Sequence, residues 1–283
     1  MTINDLRKII GLCKDEGWNI AINDAAILYH IDPNGHFLLL KNNETIGGIS
    51  IIKHGHDYFT IGPFIIISSY RQKGCGTYIW QAAMNHQTNL NQSACIGLCA
   101  IQDQVTRYNK LGFVTQYINH RWVFDANKPY VDNSIYSYHQ ISNDMIPLIM
   151  ECDQNIYPVL RENLFTAMMK DPNIVGYIIQ EHGEMAGFGF IRPCNGGYRI
   201  GPLVANKKIH AKHLILKLAH LKEKTITVID SPSINSNMIS IAKEIGLSRS
   251  SKDDTHLMFK GSISNKPPGN SDRHYAVFSL EIG

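Results

Sequence analysis

An internal repeat constrains the fold of this chain more than any other feature. Residues 36–67 align without a gap with residues 175–206, and the matching positions include apolar segments interrupted by glycine and proline. The clearest pairs are Ile61-Gly-Pro-Phe64 with Ile200-Gly-Pro-Leu203 and, further along, Leu111-Gly-Phe113 with Ile245-Gly-Leu247. Chance similarity among apolar strands is the alternative. Because Gly and Pro interrupt both copies at the same places, we interpret the pattern as two related domains.

Length and composition agree with two folded domains. The chain has 283 residues, of which 44% are hydrophobic and 18% charged, so it has enough apolar material for two cores of ordinary domain size. Its net charge of +3 is too small to predict nucleic-acid binding. No apolar run reaches membrane-spanning length, so we expect no membrane partner. The first residues lack a signal-peptide core.

The cysteines indicate a reducing environment. The six cysteines match neither a disulfide framework nor the spacing of a zinc site, so we expect free thiols, no metal and a cytoplasmic location. Cys95 and Cys99 could form a metal pair. They flank an apolar stretch, however, and buried core cysteines are the favoured interpretation.

Each half has the same predicted order of elements. A helical segment precedes three apolar runs separated by turn residues, which indicate an antiparallel meander. A helix, a buried strand, a second helix and a last strand follow, which predicts an α+β (α/β) fold with a mixed, mostly antiparallel sheet flanked by helices in each domain. The polar stretch Asn127–Asn133 sets the predicted domains at 1–127 and 134–283. A second loop, Gly261–Asp272, leads to a predicted strand at His274–Leu280.

A basic, glycine-containing loop follows the third apolar run of the first half. The strand that ends at Ile67 leads to Arg71-Gln-Lys-Gly74-Cys-Gly76, which opens into a predicted helix. A helix start presents unpaired N–H groups and the positive end of the dipole, and glycine lets a ligand approach the backbone. The loop is therefore a candidate diphosphate site. By itself Gly-x-Gly is a weak signal, and a plain turn is the alternative; the third glycine of the dinucleotide fingerprint is missing.

A second motif lies one strand and one helix downstream. It is Arg107-Tyr108-Asn-Lys-Leu-Gly112-Phe113, and alone it would be a helix end with glycine at the cap. Together, Arg-x-x-Gly-x-Gly followed by Tyr-x-x-Leu-Gly-Phe resembles the GNAT acetyltransferase superfamily. In that family the loop holds the pyrophosphate of coenzyme A, and the tyrosine lies beside the thioester sulfur.

The resemblance extends over nearly the whole chain. Glu16-Gly-Trp18-Asn19, Gly47-Gly48 and Ile61-Gly-Pro63 in the first half, with Asp230-x-Pro232 in the second, are similar to the bacterial two-domain GNAT proteins. There a complete acetyltransferase domain precedes a divergent one. One departure is Ser68-Ser69, where the family usually has proline and an acidic residue; we expect it to alter the turn more than the chemistry.

The resemblance implies an acetyl-CoA-dependent N-acetyltransferase whose cofactor site lies in the first half. Tyr108 becomes the candidate that protonates the leaving thiolate, and backbone N–H groups around Phe64–Ile66 become candidate donors to the oxyanion. The residues implied to bind acetyl-CoA are Phe64, Ile65, Ile66, Ile67, Arg71, Gln72, Lys73, Gly74, Cys75, Gly76 and Thr77.

The second half lacks these features. Its ungapped counterpart of the glycine loop is His210–Ile215, which contains no glycine, and its counterpart of Tyr108 is Ala242. We therefore expect one acetyl-CoA per chain. The lysines that remain there are interpreted as a solvated helix start rather than a phosphate site: Lys207, Lys208 and Lys212.

The acceptor side is less well defined by the residues. The expected acceptor is a primary amine, and Trp18, Asn19 and Asp24 lie in the helical entry region that borders the acceptor cleft in GNAT proteins. Asp24 could attract a cationic amine, or it could cap a helix while Trp18 packs in the core. Candidate bases precede the central strand, where a polar hairpin turn is the favoured interpretation: His54, His56 and Asp57.

Two other classes of protein remain open. A non-catalytic acyl-CoA sensor would keep the loop but would not need Tyr108. A protein–protein module built on a decayed enzyme fold would describe the second half but not the first. We expect a monomer or homodimer whose second domain packs on the first and helps to form the acceptor pocket.

Overall fold

The computed structural model describes residues 1–21, 23–125, 135–157, 159–222, 225–261, 269 and 271–282. The helices and strands of the first half are α1 (Ile3–Asp15), α2 (Asp24–Ile31), β1 (His36–Lys41), β2 (Glu44–Lys53), β3 (Tyr58–Ile66), α3 (Cys75–Leu90), β4 (Cys95–Ala100), α4 (Val105–Lys110) and β5 (Val114–Asp125). Those of the second half are β6 (Ser137–Gln140), α5 (Ile146–Gln154), α6 (Glu162–Met169), β7 (Val175–Glu181), β8 (Glu184–Cys194), β9 (Gly197–Ala205), α7 (Lys208–His220), β10 (Ile226–Pro232), α8 (Ser236–Ile245), β11 (Ser248–Arg249), β12 (Thr255–Lys260) and β13 (His274–Ala276).

Local sequence accounts for the first helix. The N–H of Asp5 donates to Oγ1 of Thr2 at 3.3 Å, and the N–H of Thr2 donates to the Asp5 carboxylate at 3.0 Å. This capping box satisfies two N–H groups at the start of α1. The buried face consists of apolar residues at helical spacing, which are Leu6, Ile9, Ile10 and Cys13.

The repeat predicted from the sequence is visible in the strands. β1, β2 and β3 form an antiparallel meander, and β3 then pairs in parallel with β4. In the second half β7, β8 and β9 form the same meander, and β9 pairs in parallel with β10. In both copies the parallel pairing stops just before a Gly–Pro pair, Gly62-Pro63 and Gly201-Pro202.

The two halves exchange strands within one sheet. Over the described residues the main strand order is β1-β2-β3-β4-β12-β5-β10-β9-β8-β7-β6, with β11 paired to β5 and β13 paired to β9. β12, from the second half, thus lies between two strands of the first half. β5, from the first half, pairs on its opposite edge with β10 of the second. The observed sheet is mixed and flanked by helices, which confirms the predicted fold class.

Helices and buried ion pairs also join the halves. A single apolar cluster contains residues of α1 and α2 together with residues of α5 and α6. Beneath the central strands, Asp230 of β10 accepts hydrogen bonds from Arg121 of β5 at 2.8 and 2.9 Å, and Arg199 of β9 lies 3.1 Å from the same carboxylate. All three side chains are buried. Because a buried charge is tolerated only when it is paired, these contacts specify how the halves meet.

The segment after the second predicted loop differs from the expectation. The predicted strand at 274–280 is a strand only over His274–Ala276. At Val277 the chain turns away from β9, and the N–H of Val277 donates to the carbonyl of Asp230 on β10 at 3.0 Å. The predicted boundary at 127–134 lies outside the described residues, as does most of the loop at 261–272. No helix among the described residues is long and apolar enough to span a bilayer.

Candidate active site

The candidate site begins where β3 and β4 separate. Their parallel pairing ends at Ile61 and Leu98, while β3 continues to Ile66. The N–H of Ile67 donates to Ile46 on β2 at 3.0 Å. Because backbone groups of a strand alternate between its two edges, Phe64 and Ile66 direct theirs toward the gap. This open edge offers the N–H and C=O of Phe64 and the N–H of Ile66 to an extended ligand.

The glycine loop closes one end of that gap. After a short 3-10 turn at Ser68–Tyr70, Gln72 and Gly74 take left-handed φ values of 59° and 79°. Gly74 is the N-cap of α3 and supplies no capping side chain. Residues 75–77 form the first turn of α3, whose N–H groups have no helical carbonyl before them. The loop therefore presents a helix N-terminus suited to an anion, as predicted.

The basic side chains of the loop brace it rather than reach outward. Arg71 donates from Nε to the carbonyl of Ile66 at 2.7 Å and forms an ion pair of 2.6 Å with Glu16. Lys73 donates from Nζ to the carbonyl of Ser69 at 2.9 Å. In this structure the anion-binding capacity of the loop therefore comes mainly from its backbone, with Arg71 holding the loop to β3.

Arg107 supplies a positive charge that the sequence interpretation did not assign to the site. A Cβ added at Gly76 would lie 3.9 Å from a guanidinium nitrogen of Arg107 and 3.6 Å from the ring of Phe64. The same guanidinium lies over the Phe64 ring, 5.7 Å from its centre. Arg107 is exposed, so it faces solvent at the start of α3. The sequence feature that could have indicated this role is the position of Arg107 directly before Tyr108 in the second motif.

Tyr108 lies between α3 and the separated strands. Its ring packs against Trp80 and Phe113, with centroid distances of 5.6 and 6.0 Å. Burial raises the pKa of the Tyr108 hydroxyl, while the Arg107 charge lowers it by less, so the phenol is protonated at neutral pH. The hydroxyl has no hydrogen-bond partner among the residues that the structure describes. It is thus a proton donor without an internal acceptor.

Two of the three predicted acceptor-side residues, Asn19 and Asp24, lie at the contact with the second half. Trp18 is 38% exposed. Asn19 donates to the carbonyl of Asn195, in the turn between β8 and β9, at 2.9 Å. Asp24 is buried and paired with Arg192 of β8, with an Oδ1–Nε distance of 3.1 Å. The carboxylate of Asp24 is therefore already neutralised, and it joins the halves instead of facing an open cleft.

The candidate bases before the central strand lie in a turn, as predicted. His54 bonds through Nε2 to Oγ1 of Thr60 at 2.8 Å, and burial lowers its pKa to about 3. His56 and Asp57 are exposed and pair with each other at 2.6 Å. The turn joins β2 to the first residue of β3, at the opposite end from the open edge.

The second half has no equivalent opening among its described residues. His274 and Ala276 pair with Val204 and Leu203 of β9, and the following N–H bonds to β10. β13 therefore fills the gap between β9 and β10 that corresponds to the open gap between β3 and β4. The lysines near α7 are engaged by acidic side chains, Lys207 by Glu181 and both Lys208 and Lys212 by Glu244. This agrees with a helix surface rather than a phosphate site.

The end of the described chain reaches the site of the first half, which the sequence did not indicate. Residues 277–282 pass beneath both separated strand pairs. A Cβ added at Gly201 would lie 1.9 Å from the carbonyl oxygen of Val277, and one at Gly62 would lie 2.9 Å from Cα of Glu281. Glycine at these two positions leaves room for the segment to cross. Glu281 is thereby placed beside Gly62, two residues before Phe64, at the base of the open gap.

All six cysteines are free, and Cys95 is buried while Cys99 is half-buried. Within the described ranges, no three His, Cys, Asp or Glu side chains are grouped as a metal site requires.

Comparisons with known proteins agree with this geometry in both halves. Residues 3–113 match the model of the acetyltransferase (GNAT) family, and residues 149–276 match that of an acetyltransferase (GNAT) domain. A relative from Pseudoalteromonas sp. (strain SANK 73390), named holothin acyltransferase, is 27% identical over 269 residues, which cover 95% of this chain and 88% of the relative.

Solved structures share the fold of the whole chain. A putative acetyltransferase from Pyrococcus horikoshii has a TM-score of 0.80 at 20% identity, covering 100% of this chain and 94% of that one. A tandem GNAT protein from the clavulanic acid biosynthesis pathway has a TM-score of 0.64 at 14% identity, covering 93% and 96%. The tandem arrangement inferred from the internal repeat is thus found in a solved structure.

Proposed function

Because the chain belongs to the GNAT family of acyltransferases and contains two GNAT domains, we propose that it binds one acetyl-CoA in its first half and transfers the acetyl group to a primary amine. The amine attacks the thioester directly. The relative named as an acyltransferase supports acyl transfer and leaves room for acyl groups other than acetyl.

One observation carries this proposal: three elements of a thioester site converge in the first half only, over the part of the chain that the structure describes. The open edge of β3 at Phe64 and Ile66 leads to the uncapped start of α3, and Tyr108 lies beside both. In the second half the corresponding gap is filled by β13, and the residue at the tyrosine position is the buried Ala242. The pantetheine arm would lie along β3, with its pyrophosphate on the N–H groups of residues 75–77.

The residues present support a direct transfer. As the amine nitrogen bonds to the thioester carbon, negative charge develops on the carbonyl oxygen, and N–H groups on the open edge of β3 are positioned to stabilise it. When the carbon–sulfur bond breaks, its electron pair goes to sulfur, and the Tyr108 hydroxyl donates its proton to the thiolate. The acceptor enters as an ammonium, and its nitrogen loses two protons in all. One is released to solvent before the attack, and the other returns through solvent to the Tyr108 phenolate. The net products are an amide, coenzyme A and one released proton.

The acceptor is proposed to enter from the face of the sheet opposite α3. On that face the second half contributes the segment 277–282, which passes below Gly62. A cleft of about 10 Å³, room for about one water molecule, is lined there by residues of both halves, among them Thr60, Cys99, Leu257 and Glu281. The second domain would thus form part of the acceptor pocket, as well as completing the sheet.

A non-catalytic acyl-CoA sensor is not favoured. Binding alone would not require Tyr108, whose hydroxyl is left without an internal partner among the described residues. A simple assay distinguishes an enzyme from a sensor. Purified protein is mixed with acetyl-CoA and a panel of primary amines, and free thiol is measured over time. Amine-dependent release of coenzyme A is expected, whereas binding without release would support the sensor.

A further inference from the structure

We propose that Glu281, supplied by the second half, is the general base that deprotonates the acceptor amine in the first half's site. This inference rests on the acyl transfer proposed above and identifies a residue that the family motifs do not contain. A protonated amine cannot attack a thioester, and an amine resembling that of lysine has a pKa of about 10.4. The site therefore needs a group that accepts a proton near neutral pH.

The position of Glu281 fits this role. A Cβ at Gly62 would lie 3.2 Å from Cβ of Glu281, so the two residues are in contact. Phe64 lies on the open edge where the thioester is proposed to bind. It is two residues beyond Gly62 along β3, and so roughly 7 Å from Gly62. A glutamate side chain and one water molecule together cover such a distance.

The segment that carries Glu281 is held rigidly. Arg192 donates from Nη2 to the carbonyl of Phe278 at 2.7 Å, and its guanidinium stacks 3.8 Å above the Phe278 ring. Phe278 and Ile282 are buried in the apolar cluster shared by the two halves. Ser279 accepts the N–H of Glu281 at 3.3 Å. Within 274–282, only Leu280 and Glu281 are half-buried and the others are buried, so the segment presents these two side chains to the cleft.

Burial favours a basic carboxylate at Glu281. It is the largest influence on the pKa of Glu281 and raises it; the charge of Arg199 lowers the pKa, Asp24 raises it by less, and the hydroxyl of Ser279 lowers it. Glu281 is part of no salt bridge within the described residues. The titratable and charged groups that face it from the surrounding elements are Cys13 of α1, Asp24 of α2, Tyr58 of β3, Cys99 of β4, Arg121 of β5 and Arg199 of β9.

The proposed step is balanced in protons and electrons. The Glu281 carboxylate takes one proton from the ammonium form of the acceptor, which leaves a neutral amine with a free electron pair. That pair forms the bond to the thioester carbon, and Tyr108 then protonates the departing sulfur. After the attack the nitrogen loses its second proton, which returns through solvent to the Tyr108 phenolate. Glu281 releases the first proton to solvent, and this is the one proton of the net reaction.

The test compares wild type with Glu281→Gln, using acetyl-CoA and the amines tyramine, spermidine and Nα-acetyl-lysine methyl ester. We expect kcat near pH 7 to fall by about 10²–10⁴-fold with unchanged acetyl-CoA affinity by calorimetry. The wild-type rate should level off near neutral pH, whereas the variant's rate should keep rising tenfold per pH unit toward the pKa of the amine. Glu281→Asp, which keeps a carboxylate, should be intermediate. The control is Glu184→Gln at an exposed position far from the site.

The thermal stability of the Glu281→Gln variant distinguishes a catalytic base at this position from a residue that only supports the fold. Because the folded-state pKa of Glu281 is raised, its negative charge costs stability at pH values above that pKa. Glu281→Gln should therefore melt at the same temperature as wild type or higher. Unchanged turnover, a pH profile that levels off as in wild type, or an unfolded variant would each overturn the assignment. A wild-type protein that neither binds acetyl-CoA nor releases coenzyme A would instead overturn the proposed function.

Discussion

Arg192 of the second half and Asp24 of the first form a buried ion pair, with Nε and Oδ1 separated by 3.1 Å. The same guanidinium donates to the carbonyls of Gly201 and Phe278, at 3.2 and 2.7 Å. One side chain thus fixes the entry helix α2, the split strand β9 and the segment that crosses below the site.

Replacing Arg192 by Met should destabilise the protein by about 3–5 kcal/mol, because it leaves the Asp24 carboxylate buried without a partner. Equilibrium urea denaturation measures the difference. The control is Lys207→Met, which removes the exposed pair with Glu181 and should cost at most about 1 kcal/mol. Equal losses in the two variants would show that Arg192 does not join the halves as described.

Tyr108→Phe should lower kcat by about 10²–10⁴-fold while leaving the acetyl-CoA dissociation constant nearly unchanged. The ring packing against Trp80 and Phe113 is retained, and only the proton donor is lost. Tyr78→Phe is the matched control, since Tyr78 lies on α3 with 72% of its surface exposed. Full turnover in the Tyr108→Phe variant, measured at saturating substrates, would remove Tyr108 from the mechanism.

Stability should fall in mild acid because histidines are buried in the neutral form. Burial lowers the pKa of His54 to about 3 and that of His274 to about 4, whereas the unfolded value is about 6.5. Each buried neutral histidine therefore makes its full contribution to the free energy of unfolding above about pH 6.5. That contribution is lost as the pH falls toward the folded pKa, at up to about 1.4 kcal/mol per pH unit.

Urea denaturation between pH 7.5 and 5 measures this loss in wild type and in His54→Gln, whose amide can keep the bond to Thr60. The variant should show a shallower decline. His139→Gln changes an exposed histidine and should leave the decline as it is. Identical slopes for wild type and His54→Gln would contradict the assignment.

Local features of the site could be predicted from the sequence. The repeat, the meander and the helix that opens after the glycine loop depend on periodicity and turn residues within a short stretch of chain. The placement of Tyr108 at the site was implied by the resemblance of its motif to the GNAT family. The difference between the halves could also be predicted, since glycine is missing at 210–215 and alanine stands at position 242.

Contacts between distant residues could not be predicted. Nothing near Asp24 signals that Arg192 will pair with it, so its carboxylate suggested a cap or a cation site. β12 lies between β4 and β5, an exchange decided by tertiary packing rather than by the apolar alternation of any one strand. The passage of Glu281 beneath Gly62 depends on the same assembly, and a lone glutamate near the end of a sequence carries no such signal.

The number of acetyl-CoA molecules bound per chain, and where they bind, decides whether the first half holds a single cofactor site. Isothermal titration calorimetry on wild type should give a stoichiometry near one. Gly74→Asp combined with Gly76→Asp should abolish binding, because it places negative charge at the proposed pyrophosphate site. Gly183→Asp is the matched control: like Gly74, Gly183 has a left-handed φ and open space around it, but it lies in a turn of the second half, and binding should persist. A stoichiometry near two, or undiminished binding in the double variant, would contradict a single site in the first half.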